Sequence, residues 1–289
     1  MGGWNRSNIP DQTGRTVIVT GATSGLGEAT ARALAAAGAQ VIMACRNEIK
    51  AQAVARTMTG NVQIRQLDLA DLASVRAFAT GVERADVLIN NAGVMAVPKQ
   101  RTADGFELQI GTNYLGHFAL TGLLMDRISE RVVNTSSLTH FIGRIDLDDL
   151  NWERRAYSRF GAYAQSKLAL LLFTYELQRR LTLTGSPKLA VAAHPGYAAT
   201  EISSETENLL EQIVGLGNRL VAQSAEMGAL PTLYAATAEV EPGGYYGPDR
   251  FNWRGHPTRV NSSAASHDEK TARQLWELSE RLTGVEFDI

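Results

Sequence analysis

The run Arg15-Thr-Val-Ile-Val-Thr20 leads straight into Gly21-Ala-Thr-Ser-Gly25-Leu-Gly27, and an alanine-rich stretch follows to Ala37. The first six residues are β-branched and apolar and read as a buried strand. From Gly25 onward the residues are helix formers, closed by Gly38 as a C-cap. A strand, a glycine turn and a helix in that order suit a phosphate. The turn lets backbone approach closely, and the free N–H groups of the helix N-terminus meet the anion. Gly21, Gly25 and Gly27 follow the spacing G-x-x-x-G-x-G, with Ser24 and Leu26 among them. A glycine turn alone is weak; its place after the first strand strengthens it.

Working outward, apolar strands are expected at 40–44, 62–67, 86–90, 131–135 and 189–193, with a short seventh at 244–246. Helices are expected after the second strand to about Met58, and over 74–82, 104–127 and 157–183. Apolar strands alternating with helices imply a parallel sheet covered on both faces. The fold class is α/β. The chain reads as a single doubly wound Rossmann-type domain over residues 1–289, with a mostly parallel seven-stranded sheet flanked by helices. No linker, repeat or low-complexity tract divides it.

A net charge of -2 over 289 residues argues against a general nucleic-acid binder, which is usually basic. One cysteine, Cys45, excludes internal disulfides and fits a reducing compartment. No apolar run reaches the ~18 residues of a membrane helix, and the first residues lack the apolar core of a secretion signal. A cytoplasmic protein without a membrane anchor is expected. The five histidines lack ligand spacing, so no metal site is indicated, and His194 before Pro195 reads as a packed residue.

Of eight tyrosines, only Tyr163 has a lysine four residues on, Lys167. On a helix the two share one face. A free phenol ionises near pH ~10, and a neighbouring ammonium favours the phenolate. A nucleotide turn followed by such a pair reads as redox chemistry on a carbonyl or an alcohol.

Cofactor choice is usually written at the end of the second strand, where an acidic residue takes the ribose 2′-hydroxyl of NAD. Here Cys45 holds that place and Arg46 follows. A guanidinium suits a 2′-phosphate, which favours NADP, with NAD as the alternative. The competing reading leaves Arg46 as a solvated surface residue. Asp68, with Leu69 beside it, either meets an adenine amino group or serves as a turn aspartate.

Taken together and in order, Thr20-Gly21-x-x-x-Gly25-x-Gly27, Asn90-Asn91-Ala92-Gly93, Asn113, Ser136-Ser137, Tyr163-x-x-x-Lys167 and Pro195-Gly196-x-x-x-Thr200 resemble the short-chain dehydrogenase/reductase family. The likeness runs from about residue 14 to about residue 250. Ala44-Cys45-Arg46-Asn47, Gly111-Thr-Asn-Tyr-Leu-Gly-His-Phe118 and His194-Pro-Gly196 resemble its retinol dehydrogenase-like and WW-domain oxidoreductase-like branch. The ending Gly243-Gly-Tyr-Tyr-Gly-Pro248 is similar to uncharacterised actinobacterial members.

The resemblance implies an NAD(P)-dependent oxidoreductase. It implies Tyr163 as general acid/base, Lys167 as its helper and ribose ligand, Ser137 as the donor polarising the carbonyl, and Asn113 completing a water relay to Lys167. It places Asn91, Ala92 and Gly93 by the adenosine, and Pro195, Gly196 and Thr200 by the nicotinamide. Strand alternation lets only one of Ser136 and Ser137 face the cleft, and the family uses the second.

Twenty-six residues separate Ser137 from Tyr163, about twice the family's usual spacing. The added segment, 141–160, is an insert near the active site, as in this branch. A flap over 197–223 carries Ile202, Leu209, Leu210, Ile213, Val214 and Leu216 at helical spacing; it suits either a lipophilic carbonyl substrate or ordinary helix core. The other partner expected is a second copy, through a four-helix interface of 104–127 and 157–183. The rival readings are an NAD-linked alcohol dehydrogenase and a dinucleotide-binding sensor without turnover.

Overall fold

The computed structural model describes residues 3–197 and 224–289. Eight strands form one sheet: β1 (Thr16–Thr20), β2 (Gln40–Cys45), β3 (Asn61–Gln66), β4 (Ala85–Asn90), β5 (Ile128–Thr135), β6 (Leu189–Ala193), β7 (Tyr245–Arg250) and β8 (Arg254–Arg259). Their order is β3-β2-β1-β4-β5-β6-β7-β8, all parallel except β8 against β7. Strand order reverses between β1 and β4, and at such a switch point open α/β sheets take their ligands.

The helices are α1 (Gly25–Ala36), α2 (Glu48–Ala55), α3 (Leu72–Thr80), α4 (Leu108–Ile110), α5 (Gly116–Leu124), α6 (Arg159–Leu183), α7 (Ala225–Thr237) and α8 (Glu269–Thr283). Two apolar cores result. Val17, Val19, Leu34, Val41 and Leu233 fill one face of the sheet. Ile18, Leu88, Phe118, Phe173 and Trp276 fill the other. The even and odd residues of β1 divide between these cores because strand side chains alternate.

The sheet has eight strands where seven were expected. Arg254–Arg259 has no apolar alternation and carries Pro257, which faces Pro248 in the register; proline is tolerated there because β8 is an edge strand. The helix expected over 104–127 starts only at Leu108. Asp104 instead accepts from the Leu72 N–H at 2.9 Å, and Glu107 caps the helix through the N–H groups of Gln109 and Ile110. The helix is also interrupted by a π-turn, Gly111–Leu115. Such turns are rare and gather at functional sites. Helices α7 and α8 were not anticipated; Pro231 inside α7 reads in sequence as a break.

Helix α6 is buried without a gap from Ala162 to Thr174, as expected of a central helix. Its outer face and that of α5 are covered by α8 and the segment after it. Phe118 lies 5.2 Å from Trp276 and 4.9 Å from Phe287, centroid to centroid. Phe173 lies 5.7 Å from Trp276, and the Arg180 guanidinium sits 4.2 Å over that indole. The four-helix interface expected of these helices is therefore taken up by the chain itself. Trp276 is 1% exposed, so Trp276→Ala is expected to cost about 3–5 kcal/mol. Urea unfolding checks this; a loss under ~1 kcal/mol would show the indole to be peripheral.

Candidate functional site

The site residues that the sequence singles out and the structure describes lie just beyond the C-terminal ends of the strands, apart from Gly25, Leu26 and Gly27 at the start of α1, Asn113 in the π-turn, and Tyr163 and Lys167 on α6. Gly21 follows β1 with φ +67° and donates its N–H to the Ala44 carbonyl at 2.9 Å. Gly25 opens α1 with φ +54°, a region that side chains other than glycine avoid. A Cβ on Gly27 would stand 2.2 Å from the Gly21 carbonyl, so only glycine lets α1 approach β1 this closely. Ser24 precedes α1 in extended conformation and its side chain does not cap the helix. The first N–H groups of α1 are left for another acceptor. This cradle and its unsatisfied donors fit a pyrophosphate.

Around it, the Thr20 hydroxyl accepts from the N–H groups of Asn91 and Ala92, both at 2.9 Å. The Asn91 amide returns a bond to the Thr20 carbonyl at 2.9 Å. Arg46 is exposed just beyond β2. Burial raises the Cys45 thiol to about 11, so that residue is inert at neutral pH. Asp68 accepts from the Ala70 N–H at 2.9 Å and is thus a turn aspartate. Leu69 is buried, and its carbonyl lies where a Cβ on Gly116 would fall, at 2.4 Å.

At the other end of the cleft, Ser158 caps α6 through the Gly161 N–H at 3.1 Å. One turn in lies the Tyr163 phenol, whose ionised form the neighbouring Ser137 hydroxyl favours. Ser137 is partly exposed, whereas Ser136 is buried and donates to the Lys167 carbonyl at 2.9 Å. Lys167 Nζ lies 5.7 Å from the Tyr163 ring centroid and donates to the Thr135 carbonyl at 2.8 Å. These two bonds staple the end of β5 to α6 and fix the pair.

Burial pushes the Tyr163 phenol up to about 12, with Ser137 pulling the other way. Burial dominates the phenol in this structure, and Lys167 Nζ is engaged by the Thr135 carbonyl. Burial likewise lowers Lys167 to about 8. The phenol is therefore in its protonated, donor form at neutral pH.

Asn113 sits in the π-turn, fully buried. Its side chain exchanges bonds with Val94, accepting from the N–H at 2.8 Å and donating to the carbonyl at 2.9 Å, and donates to Ser166 at 2.9 Å. It holds the loop after β4 against α6. Gly93 lies between them, since a Cβ there would be 3.1 Å from Asn113 Oδ1 and 3.7 Å from Lys167 Nζ. Pro195 and Gly196 follow β6. Gly196 has φ +68° and donates to His194 Nδ1 at 3.1 Å, so His194 is a packed residue that shapes this turn. Thr200 and all but the first residue of the 197–223 flap lie outside the described residues.

The 141–160 insert packs on the segment leading to α4. Lys99 Nζ donates to the Trp152 carbonyl at 2.6 Å, and the Tyr157 hydroxyl donates to Glu107 at 2.8 Å. Asp149 accepts from the N–H groups of Glu153, Arg154 and Arg155 and holds the loop closed. The insert is a buttress for the π-turn's approach, and Phe141, Ile142 and Phe160 are left exposed on it.

A family profile for short chain dehydrogenases matches residues 15–210. The chain belongs to the short-chain dehydrogenase family. It is 44% identical to Homo sapiens retinol dehydrogenase 13 over 301 aligned positions, covering 98% of this chain and 87% of that one. It is 39% identical to Homo sapiens polyprenol dehydrogenase, covering 98% and 89%. A crystal structure of an uncharacterized protein from Mycobacterium paratuberculosis superimposes with TM-score 0.89 at 53% identity, over 99% of this chain and 100% of that one. The short-chain dehydrogenase described here is thus of the retinol dehydrogenase-like branch and is an NAD(P)-dependent oxidoreductase acting on CH–OH or C=O groups.

Sequence reasoning missed several groups around this dehydrogenase's site. His140 Nδ1 lies 2.7 Å from the Ser137 carbonyl, and its Nε2 accepts from the Ser263 N–H at 3.1 Å. Tyr245 packs against His140 at 5.6 Å and His194 at 5.2 Å, centroid to centroid. Nothing local in the sequence links residues so far apart. Among the described residues no group of His, Cys, Asp or Glu could hold a metal, and no helix is long and apolar enough to cross a membrane.

Proposed function

We propose that the protein is an NADPH-preferring carbonyl reductase acting on lipophilic aldehydes or ketones. The observation that carries this reading is the Tyr163 phenol with Lys167 Nζ 5.7 Å from its ring and Ser137 beside it, together with the uncapped glycine turn that opens α1. Gly21, Ser24, Gly25, Leu26 and Gly27 would hold the pyrophosphate. Arg46 would hold the 2′-phosphate, Asp68 and Leu69 the adenine side, and Asn91, Ala92 and Gly93 the adenosine ribose. Lys167 with Pro195 and Gly196 would border the nicotinamide, as would Thr200.

When bound, the reduced dinucleotide supplies a hydride to the carbonyl carbon. Ser137 donates a hydrogen bond to the carbonyl oxygen and polarises it. Tyr163 gives its proton to that oxygen as the C=O π pair moves onto it. Lys167 stabilises the phenolate left behind, and a proton from solvent restores the phenol. The similarity to enzymes named for retinol and polyprenol and the exposed Phe141, Ile142 and Phe160 support a long apolar substrate.

Thermal unfolding with each dinucleotide tests the preference. NADPH at ~100 times its Kd is expected to add roughly 2.7 kcal/mol and raise the midpoint by several degrees. Arg46→Ala should remove the excess over NADH and leave the NADH shift in place. An equal or larger NADH shift in the wild type would reject the clamp and favour an NAD-linked alcohol dehydrogenase.

A further inference from the structure

His117 is fully buried, one turn beyond Asn113, and the reaction as written does not use it. Its Nδ1 lies 2.8 Å from the Asn113 carbonyl and its Nε2 lies 2.9 Å from Thr20 Oγ1. A carbonyl only accepts, so Nδ1 carries the proton and Nε2 is left as an acceptor. The Thr20 hydroxyl then donates to Nε2, a shorter contact than its 3.4 Å approach to the Ile89 carbonyl. That leaves its lone pairs for the N–H groups of Asn91 and Ala92. One ring tautomer thus satisfies both partners and leaves the loop bonds intact. Burial lowers His117 to about 4, helped by the nearby Lys167 charge, so the ring is neutral at physiological pH.

The circuit is continuous. Asn91 and Ala92 hang on Thr20, Thr20 on His117, and His117 on the carbonyl of Asn113. The Asn113 side chain in turn holds Val94 and Ser166, and Ser166 precedes Lys167 on α6. The geometry points to His117 as a positioning residue that ties the loop beside the dinucleotide to the π-turn supporting the catalytic helix. This rests on the function proposed above.

Two substitutions separate the two ends of the ring. In His117→Asn the amide falls near the Nδ1 position, keeping the donor to Asn113 and losing Thr20. In His117→Gln the amide falls near the Nε2 position, keeping a partner for Thr20 and losing the Asn113 end. Each protein is titrated with NADPH by fluorescence, assayed with a saturating long-chain aldehyde, and melted. Loss of one buried hydrogen bond corresponds to about tenfold. His117→Asn is expected to raise the NADPH Kd about tenfold with kcat falling less than twofold, and His117→Gln to do the reverse. A lost packing contact would instead move Kd and kcat together in step with the melting temperature. That parallel loss, or no change in either variant, overturns the proposal. Should His117→Asn fail to fold, His117→Gln decides alone: kcat must fall about tenfold at near-constant Kd, and a parallel loss there overturns the proposal equally. A wild type that binds NADPH but reduces no carbonyl defeats the functional reading alone, and the Kd arm still decides the loop end of the circuit.

Discussion

Tyr163→Phe is expected to lower kcat by roughly 10²–10⁴, the usual contribution of a positioned acid, while NADPH binding changes less than about twofold. Among the described residues Ser137 is the side chain that favours the ionised form of the phenol. Removing the hydroxyl therefore deletes the proton donor without opening the packed ring, which is 7% exposed. Lys167 keeps its own anchor, the Thr135 carbonyl at 2.8 Å, so the helix stays in place. The Ser137 donor and the bound hydride source remain, and they account for residual turnover. Steady-state rates with matched NADPH titrations check this. A kcat near that of the wild type would remove Tyr163 from the chemistry.

Acid should destabilise the protein well before its carboxylates titrate. Burial pushes His117 down to about 4, and burial with the neighbouring His140 pushes His194 to about 3. Burial lowers His140 as well. In the unfolded chain each ionises near ~6.5. Below that pH the unfolded state binds protons that the folded state refuses. The stabilising contribution is thus complete above about pH 6.5 and lost as pH falls towards the folded values. Each ring contributes a slope of about 1.4 kcal/mol per pH unit. His117 and His194 together should lower stability by roughly 5 kcal/mol between pH ~6.5 and ~4.5, comparable with the whole stability of many domains. Asp86 and Asp149 are held below the ordinary carboxylate range and add their loss only at lower pH. Urea unfolding across this range gives the slope directly. Stability that stays flat from pH ~6.5 to ~4.5 would show that these rings ionise freely in the fold.

The parallel core of the sheet was legible because its strands are apolar throughout and its turns are marked by glycine. Thr16–Thr20 before Gly21, and Asp86 to Asn90 before Asn91, needed only local pattern. Arg254–Arg259 was not legible, since an edge strand carrying Pro257 has neither periodicity nor apolar content. Helix α8 left signals that went unused, with Asp268 as its N-cap, Gly284 in the left-handed region, and Leu275 and Trp276 on its inner face. The same helix covers the outer faces of α5 and α6.

At the site, residue spacing along α6 placed Tyr163 and Lys167 on one face. Nothing in the spacing showed that Lys167 turns to Thr135, or that burial lifts the phenol. Those follow from contacts between elements distant in sequence. The role of the Asn113 side chain was hidden for the same reason, because a π-turn has no local signature and Val94 and Ser166 come from other segments.

Hydride transfer itself tests the central claim most directly. NADPH deuterated at the transferable position is incubated with the protein and a long-chain aldehyde, and the product is weighed by mass spectrometry. The expected product is the alcohol carrying one deuterium on its carbinol carbon, formed by the wild type and almost absent with Tyr163→Phe. Bound NADPH with no deuterium delivered to any carbonyl would contradict the account and leave a dinucleotide-binding protein without reductase chemistry.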